Sequence, residues 1–480
     1  MYKDFEKLHP INSDSIDTSK DVSFFPGPWL GHVPTGRIYW NAKGSPLLIP
    51  TWYTNWRDET LSWHLTCSFH ANLNPTPVTI IRGPEAKKFM KENFVNNIDN
   101  FPIGIIKHGV LCLENGLIAS HGVIMRVDED VYETHWHSPY VDYLFGLKKY
   151  DADIEDISNT RFLFQLQGPK CLEILEKVTE EDLHDIQYRR FRSSSIDGHE
   201  VRILRFGMSG GLAYEIHGDL MNAKEVFKKI IKVGSDYGIR PIGLMAYLMN
   251  HIEGGFPQIG CNFTSAVGLD EGFMRHSSND FSSVNSINNG FNYAMQLNHI
   301  VYLGSVGADA RNHVFNPFEV GLGPCINWNH EFRGKEALSK LKKTNDRDTV
   351  TLIWDPEDLC KIYASQFIPG EEPYLQMDYP AAGAHALIGH FTSTIDWVED
   401  ADGNTIGRSY GRTHSHYNRS MLSFASLDSK FRAIGTEVYV LWGEPGMPQL
   451  KVRAKVAPFP YNQHIVNDGF DVNTIPRQKE

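Results

Sequence analysis

Three polar side chains recur at intervals of three in the apolar stretch "GLMAYLMNHIEGGF" (243–256): Tyr247, Asn250 and Glu253. At helical spacing they line one flank of a helix whose neighbouring flank is Leu244, Met245, Leu248 and Met249. The flanking residues are almost uncharged, unlike those of a solvated face. A phenol, an amide and a carboxylate in line fit either a site or a solvated face, and the helix alone leaves both open. A second set sits in strand-like stretches. Gln165 and Gln167 alternate with Phe164 and Leu166 in "RFLFQLQGP", and Glu215 follows Tyr214 in "GLAYEIHG" (211–218). A buried carboxylate needs a partner. A ligand with paired N–H donors supplies one, and a nearby arginine is the alternative. His135-Trp136-His137 and His414-Ser415-His416 each place two imidazoles on one strand face. No cysteine or carboxylate at ligand spacing completes either pair, so no metal is expected.

The elements that must carry these residues follow from pattern. "PVTIIRGPEAKKFMKENF" (77–94) reads strand, Gly-Pro turn, helix, and "RFLFQLQGPKCLEILEKV" (161–178) repeats that layout. Two such copies point to two similar α+β halves. Between them, 108–136 reads as a strand meander with a hairpin at Asn115-Gly116, and Asp197-Gly198 marks another. Residues 222–238 form an amphipathic helix. From about 346 the texture turns to strands and turns, with a hairpin at Asp402-Gly403, which predicts an all-β C-terminal domain. Residues 1 to about 50, rich in proline, glycine and aromatics, read as an arm wrapping the first domain.

Composition bounds the function. At 480 residues the chain is long enough for two or three domains, and 41% hydrophobic with 22% charged residues is a globular composition. A net charge of −12 argues against a nucleic-acid binder. No apolar run is long enough to span a membrane, and the polar N-terminus lacks a secretory core, so a cytoplasmic protein is expected. Six scattered cysteines without a CxxC pair fit free thiols in a reducing compartment. Phosphate-loop, dinucleotide, nucleophile-elbow and zinc-protease motifs are absent.

Strand-"QLQGP", then "YEI" on a strand, then a helix leading into "EGGFPQIG", resembles the glycine-cleavage T-protein (aminomethyltransferase) superfamily of tetrahydrofolate enzymes. "TNWRDETLSW" (54–63), "AYLMNHIEGGF" (246–256), "NPFEVGLGP" (316–324), "CKIYASQF" (360–367) and "GTEVYVLWGE" (435–444) are most similar to its aromatic O-demethylases, which act on vanillate and syringate. The resemblance covers about residues 45 to 462. It implies an α+β fold of two related halves around a central channel, spanning 1–345 with the N-terminal arm, and a β-barrel-like domain over 346–480. It further implies tetrahydrofolate as methyl acceptor. Glu215 would meet the pterin's amino and ring N–H groups, Gln165 would line the same cavity and Phe256 would form an aromatic wall. Asn250 and Glu253 would face the cofactor too. Tyr247 takes the place of the tyrosine beside the reacting methyl group, where a phenol matches a phenolate leaving group.

The substrate half of the pattern departs from those relatives. Leu73-Asn74-Pro75-Thr76 replaces their His-His pair, and the segment around His135 and His137 stands where they place an arginine. Ser120-His121 replaces the T-protein's aspartate pair, which argues against glycine-cleavage chemistry. His121, His135 and His137 are thus the candidates for the substrate side. The reading is a demethylase that moves a methyl group from a small donor, nearest a methoxylated aromatic acid, to N5 of tetrahydrofolate. Demethylation of a sulfonium or betaine, using aromatic residues of 52–63, and folate binding without turnover are the alternatives. A monomer or a homodimer fits either.

Overall fold

The computed structural model describes residues 52–71, 76–279, 301–377, 392–463 and 467–477, and the backbone of two strands before them. Those two, β1 (Thr35–Trp40) and β2 (Pro46–Pro50), pair as an antiparallel hairpin. The rest of the expected N-terminal arm, and Leu73 to Pro75, lie outside the described residues.

Helix α1 (Trp56–Leu65) leads into β3 (Cys67–His70), β4 (Val78–Arg82) and α2 (Ala86–Asn93). The meander follows as β5 (Ile106–Cys112), β6 (Ile118–Asp128) and β7 (Val131–His135), then α3 (Tyr140–Gly146) and β8 (Asp153–Asp156). The second half holds β9 (Arg161–Gln167), α4 (Cys171–Thr179), β10 (Phe191–Ile196), β11 (His199–Leu204) and β12 (Ala213–Asp219). It closes with α5 (Ala223–Gly234), β13 (Ile239–Pro241) and α6 (Leu244–Gly254).

Two sheets result, in the orders β5-β6-β7-β4-β8 and β10-β11-β12-β9-β3-β13. The Gly-Pro turns that suggested a repeat match in detail, with Gly83 at φ 127° and Gly168 at φ 119° at the two strand-to-helix junctions. Along β9, Phe162, Phe164 and Leu166 point to the core under α4 and α5, where they meet Leu172, Leu175, Phe227 and Ile230. Burying each such side chain contributes about 1.5–3 kcal/mol. The alternate residues, Leu163 and Gln165, fall on the opposite face. That face, with Glu215 and His217 of β12, looks toward Glu133 and His135 of the other sheet, and the space between the sheets is the central channel.

Beyond α6 come α7 (Glu271–Asn279), β14 (Val301–Leu303) and α8 (Lys335–Thr344). The expected all-β region contains β15 (Arg347–Trp354), a helix, α9 (Pro356–Ser365), and then β16 (Thr392–Glu399) and β17 (Thr405–Ser415). It ends with β18 (Ser420–Asp428), β19 (Glu437–Trp442) and β20 (Leu450–Ala457). Pairing of β16 with β19 closes β16-β17-β18-β15-β20-β19 into a six-stranded barrel. The all-β expectation missed α9, whose start is legible: Asp355 caps Glu357 and Asp358, and Pro356 stands in the first turn. The two lobes are also stitched together. Strand β14 joins the barrel sheet beside β16, and Val472 and Ile475 return to the core of the second half.

Candidate active site

A chamber of about 50 Å³ lies in the channel, bounded by Glu215, Tyr247, Gln258, Phe256, His121 and His135, with Trp136, Phe206 and Met208 among its apolar walls. It adjoins two larger cavities. One, of about 430 Å³, shares His135 and Leu163 with it and carries Arg161 and Arg202. The other, of about 480 Å³, shares His121 and Phe256 and carries Lys107 and Arg189. Among the described residues, no lysine or arginine lines the chamber itself.

Glu215 is paired from behind. Its Oε1 accepts from Gln165 Nε2 at 2.9 Å and its Oε2 from His217 Nε2 at 2.9 Å. A carboxylate has about four lone-pair sites, so acceptor capacity remains on the chamber side. Gln165 is wholly buried and acts on the chamber through Glu215; its own Oε1 has no partner among the described residues. His217 stacks on His135 with centroids 5.2 Å apart, and His135 Nε2 bonds Glu133 Oε1 at 2.8 Å. Arg202 donates to the other Glu133 oxygen at 3.0 Å. Burial opposes ionisation of Glu133, yet the His135 bond and the Arg202 charge hold it well below the usual carboxylate range. The arginine alternative for Glu215 is thus taken up by Glu133 instead. Glu133, His135 and His217 lie close enough for their ligand atoms to fall within 4.8 Å of one another. The carboxylate that sequence spacing failed to find beside His135 is therefore present, already engaged by His135 and Arg202.

On the α6 wall, Tyr247 Oη lies 3.2 Å from Gln258 Oε1, and its ring is edge-on to His70 at 4.3 Å. Burial raises the phenol well above its ordinary range, so Tyr247 keeps its proton. The helix is buried from Leu244 to Glu253, so none of its flanks is solvated. Its glycine end is sterically set. Gly255 adopts φ 66° and donates to His251 O and Ile252 O, and any Cβ there would meet Pro460 at 2.5 Å.

Only one of the three in-line residues borders the chamber. A step of three residues turns the helix back by about 60°, so Glu253 stands about 120° from Tyr247. Glu253 accepts from Trp63 Nε1 at 2.9 Å and pairs with His64 Nε2 at 2.7 Å, joining α6 to α1. It is not among the residues lining the chamber, where a cofactor contact was expected of it. Asn250 is also absent from the chamber lining, and its buried amide has no partner among the described residues. The neighbour of Tyr247 is His251, one turn on. It missed notice because an apolar helix carrying one histidine gives no periodic signal.

The histidines divide. His121 lines the chamber with both ring nitrogens unpartnered among the described residues, and burial lowers it to about 4, so it is a neutral imidazole ready to bond a ligand. His135 also lines it. His137 does not. Strand alternation would place it beside His135, but Trp136 takes φ 70° and breaks the alternation. His137 turns into the first half, where Nδ1 meets Ser120 Oγ at 3.0 Å and the ring packs on Phe94. The aromatic-rich segment 52–63, which suggested a pocket for a sulfonium or betaine donor, lines none of the three cavities. The chamber's fit to tetrahydrofolate rests on acceptors facing it without complete partners, Glu215 and His121, beside the Phe256 ring.

The chain is similar to known proteins along most of its length. The family model described as the GCVT N-terminal domain matches residues 49–274. Sesamin methylene transferase of Sinomonas sp. (strain No.22) is 37% identical over 434 residues, 89% of this chain and 94% of that protein. Syringate O-demethylase of Sphingobium sp. (strain NBRC 103272 / SYK-6) is 24% identical, covering 86% of this chain and 90% of its own. The aminomethyltransferase of Thermotoga maritima is 25% identical over 63% of this chain and 71% of its own. In structure, the glycine cleavage system aminomethyltransferase T from Bartonella henselae superposes with a TM-score of 0.58 at 16% identity, covering 86% and 91% of the two chains. The chain belongs to the glycine-cleavage T-protein superfamily of transferases, which use tetrahydrofolate as one-carbon acceptor and count O-demethylases among their members.

Proposed function

We propose that this enzyme takes a methyl group from the oxygen of a methoxylated aromatic donor and passes it to tetrahydrofolate. The observation that carries the reading is that Glu215 and Tyr247 border one small chamber between two larger cavities. Tetrahydrofolate supplies the amine N5 that takes the one-carbon group. Glu215, held by Gln165 and His217, accepts from the pterin's N–H groups and fixes its orientation. Apolar walls from Trp136, Phe206 and Phe256 exclude water and hold the aromatic ring. Tyr247 presents a proton to the ether oxygen as negative charge develops there. A carboxylate on the donor meets no cation among the described residues of the chamber, so it falls to the flanking cavities, where Lys107 and Arg189 or Arg161 and Arg202 stand.

A second reading, transfer of a methylene group, is favoured by the 37% identity to a methylene transferase across nearly the whole chain. Anaerobic incubation with tetrahydrofolate and a panel of methoxylated and methylene-bridged aromatics tests both. 5-Methyltetrahydrofolate supports the first and 5,10-methylenetetrahydrofolate the second; neither product from any aryl donor refutes both. With the true donor, Tyr247→Phe is expected to lower kcat about 10²-fold or more while binding changes little. Retention of most of kcat removes the tyrosine from the chemistry and ether cleavage with it.

A further inference from the structure

The proton on Tyr247 has two places to go: into the chamber, or onto the side chain of Gln258. The neighbouring histidine decides which. His251 Nδ1 lies 2.8 Å from the backbone oxygen of Tyr247 one turn earlier. A carbonyl only accepts, so Nδ1 carries the ring proton. The ring is completely buried, and its ring contacts are Tyr247 and Phe256, so an imidazolium there would be a buried charge with no counter-ion bonded to it. Burial indeed lowers it to about 4. A neutral imidazole protonated at Nδ1 leaves Nε2 as a bare lone pair, and that nitrogen sits 2.5 Å from the amide end of Gln258. A lone pair at that distance requires an N–H opposite it. The two ends of a glutamine amide are assigned from the hydrogen-bond network, and here the network requires the NH₂ end.

The same end lies 3.2 Å from Tyr247 Oη. An NH₂ has two protons, one for His251 Nε2 and one for the tyrosine oxygen.

We propose that His251, acting through Gln258, is a positioning residue that forces the Tyr247 hydroxyl to accept from Gln258 and so to aim its own proton into the chamber. Gln258 itself borders the chamber. The inference rests on Tyr247 as proton donor, but its central claim, the tautomer of His251, can be read without turnover.

The first test is nitrogen NMR of the full chain, ligand-free, labelled in its histidine rings, with His251 assigned by difference against His251→Gln. A protonated Nδ1 and a bare, hydrogen-bonded Nε2 are expected across neutral pH. A protonated Nε2, as the other tautomer or as the imidazolium, overturns the proposal whatever the enzyme's reaction. The second test compares Gln258→Glu with Gln258→Met in single turnovers on the true donor. In either protonation state, glutamate offers an oxygen that captures the tyrosine proton. Its kcat should fall about 10²-fold, as for Tyr247→Phe, with tetrahydrofolate affinity unchanged. Methionine accepts only weakly and leaves the hydroxyl free, so its loss should be several-fold at most. Equal losses in the two variants, or a fully active Gln258→Glu enzyme, overturn the proposal.

Discussion

Removing the Glu215 carboxylate tests the folate half of the site, and its effect can be worked out from the contacts. Two of its lone-pair sites are taken by Gln165 and His217, each at 2.9 Å, which leaves about two for the pterin. A hydrogen bond to a charged acceptor contributes about 1.5–3 kcal/mol net. Water entering the space left by Glu215→Ala recovers part of that, so a loss of about 2–4 kcal/mol is expected, or roughly 30- to 1,000-fold in Kd. The substitution also strips Gln165 and His217 of their acceptor, at about 1–3 kcal/mol for each group left buried and unpaired. A melting curve must therefore show that the variant is folded at the titration temperature. Glu215→Gln, which keeps the shape and one acceptor oxygen, should fall between wild type and alanine. Anaerobic titration calorimetry with tetrahydrofolate reads all three proteins. A folded Glu215→Ala variant binding within threefold of wild type would refute the assignment.

Three further outcomes follow from the same geometry. His135→Ala should raise KM for the donor several-fold, whereas His137→Ala should lower Tm and leave KM of the folded enzyme unchanged; the reverse pattern would restore His137 to the site. Glu253→Gln should lower Tm through loss of the charged contact to His64 without altering tetrahydrofolate affinity, so weakened binding at full stability would return Glu253 to the cofactor. Asp396, pushed up to about 7 mainly by burial, stays protonated in the folded chain but ionises near 4 when unfolded, so its contribution to stability is full below about 4 and is lost as pH rises through 7. Asp396→Asn should therefore gain Tm relative to wild type at pH 8 compared with pH 5, and an equal difference at both values would contradict the raised pKa.

The amino-acid sequence by itself determined the local periods and their breaks. Alternation in "RFLFQLQ" separated a core face from a channel face, because successive strand residues point to opposite sides whatever the sheet packs against. The Gly-Pro turns, the Asp197-Gly198 hairpin and the Gly254-Gly255 helix stop depend on backbone sterics of a few residues, and each appears where the pattern put it. Glu215, Tyr247 and Phe256 were reached through the family resemblance, and the structure brings all three to one chamber. What spacing could not give is which neighbour a side chain meets. Glu253 has the same interval from Asn250 as Asn250 has from Tyr247, yet the drift of a 3.6-residue helix carries it to Trp63 and His64, 190 and 189 residues away in the chain. His137 was lost to a single left-handed residue, Trp136, whose conformation is imposed by packing rather than by its own preference. Glu215 and His217, like Glu133 and His135, stand two residues apart on one strand, but the stacking of His217 on His135 joins two strands that meet only when the two sheets face one another. The proton on Tyr247 is decided by a tautomer, and a tautomer depends on three groups that only the folded chain places within hydrogen-bonding distance.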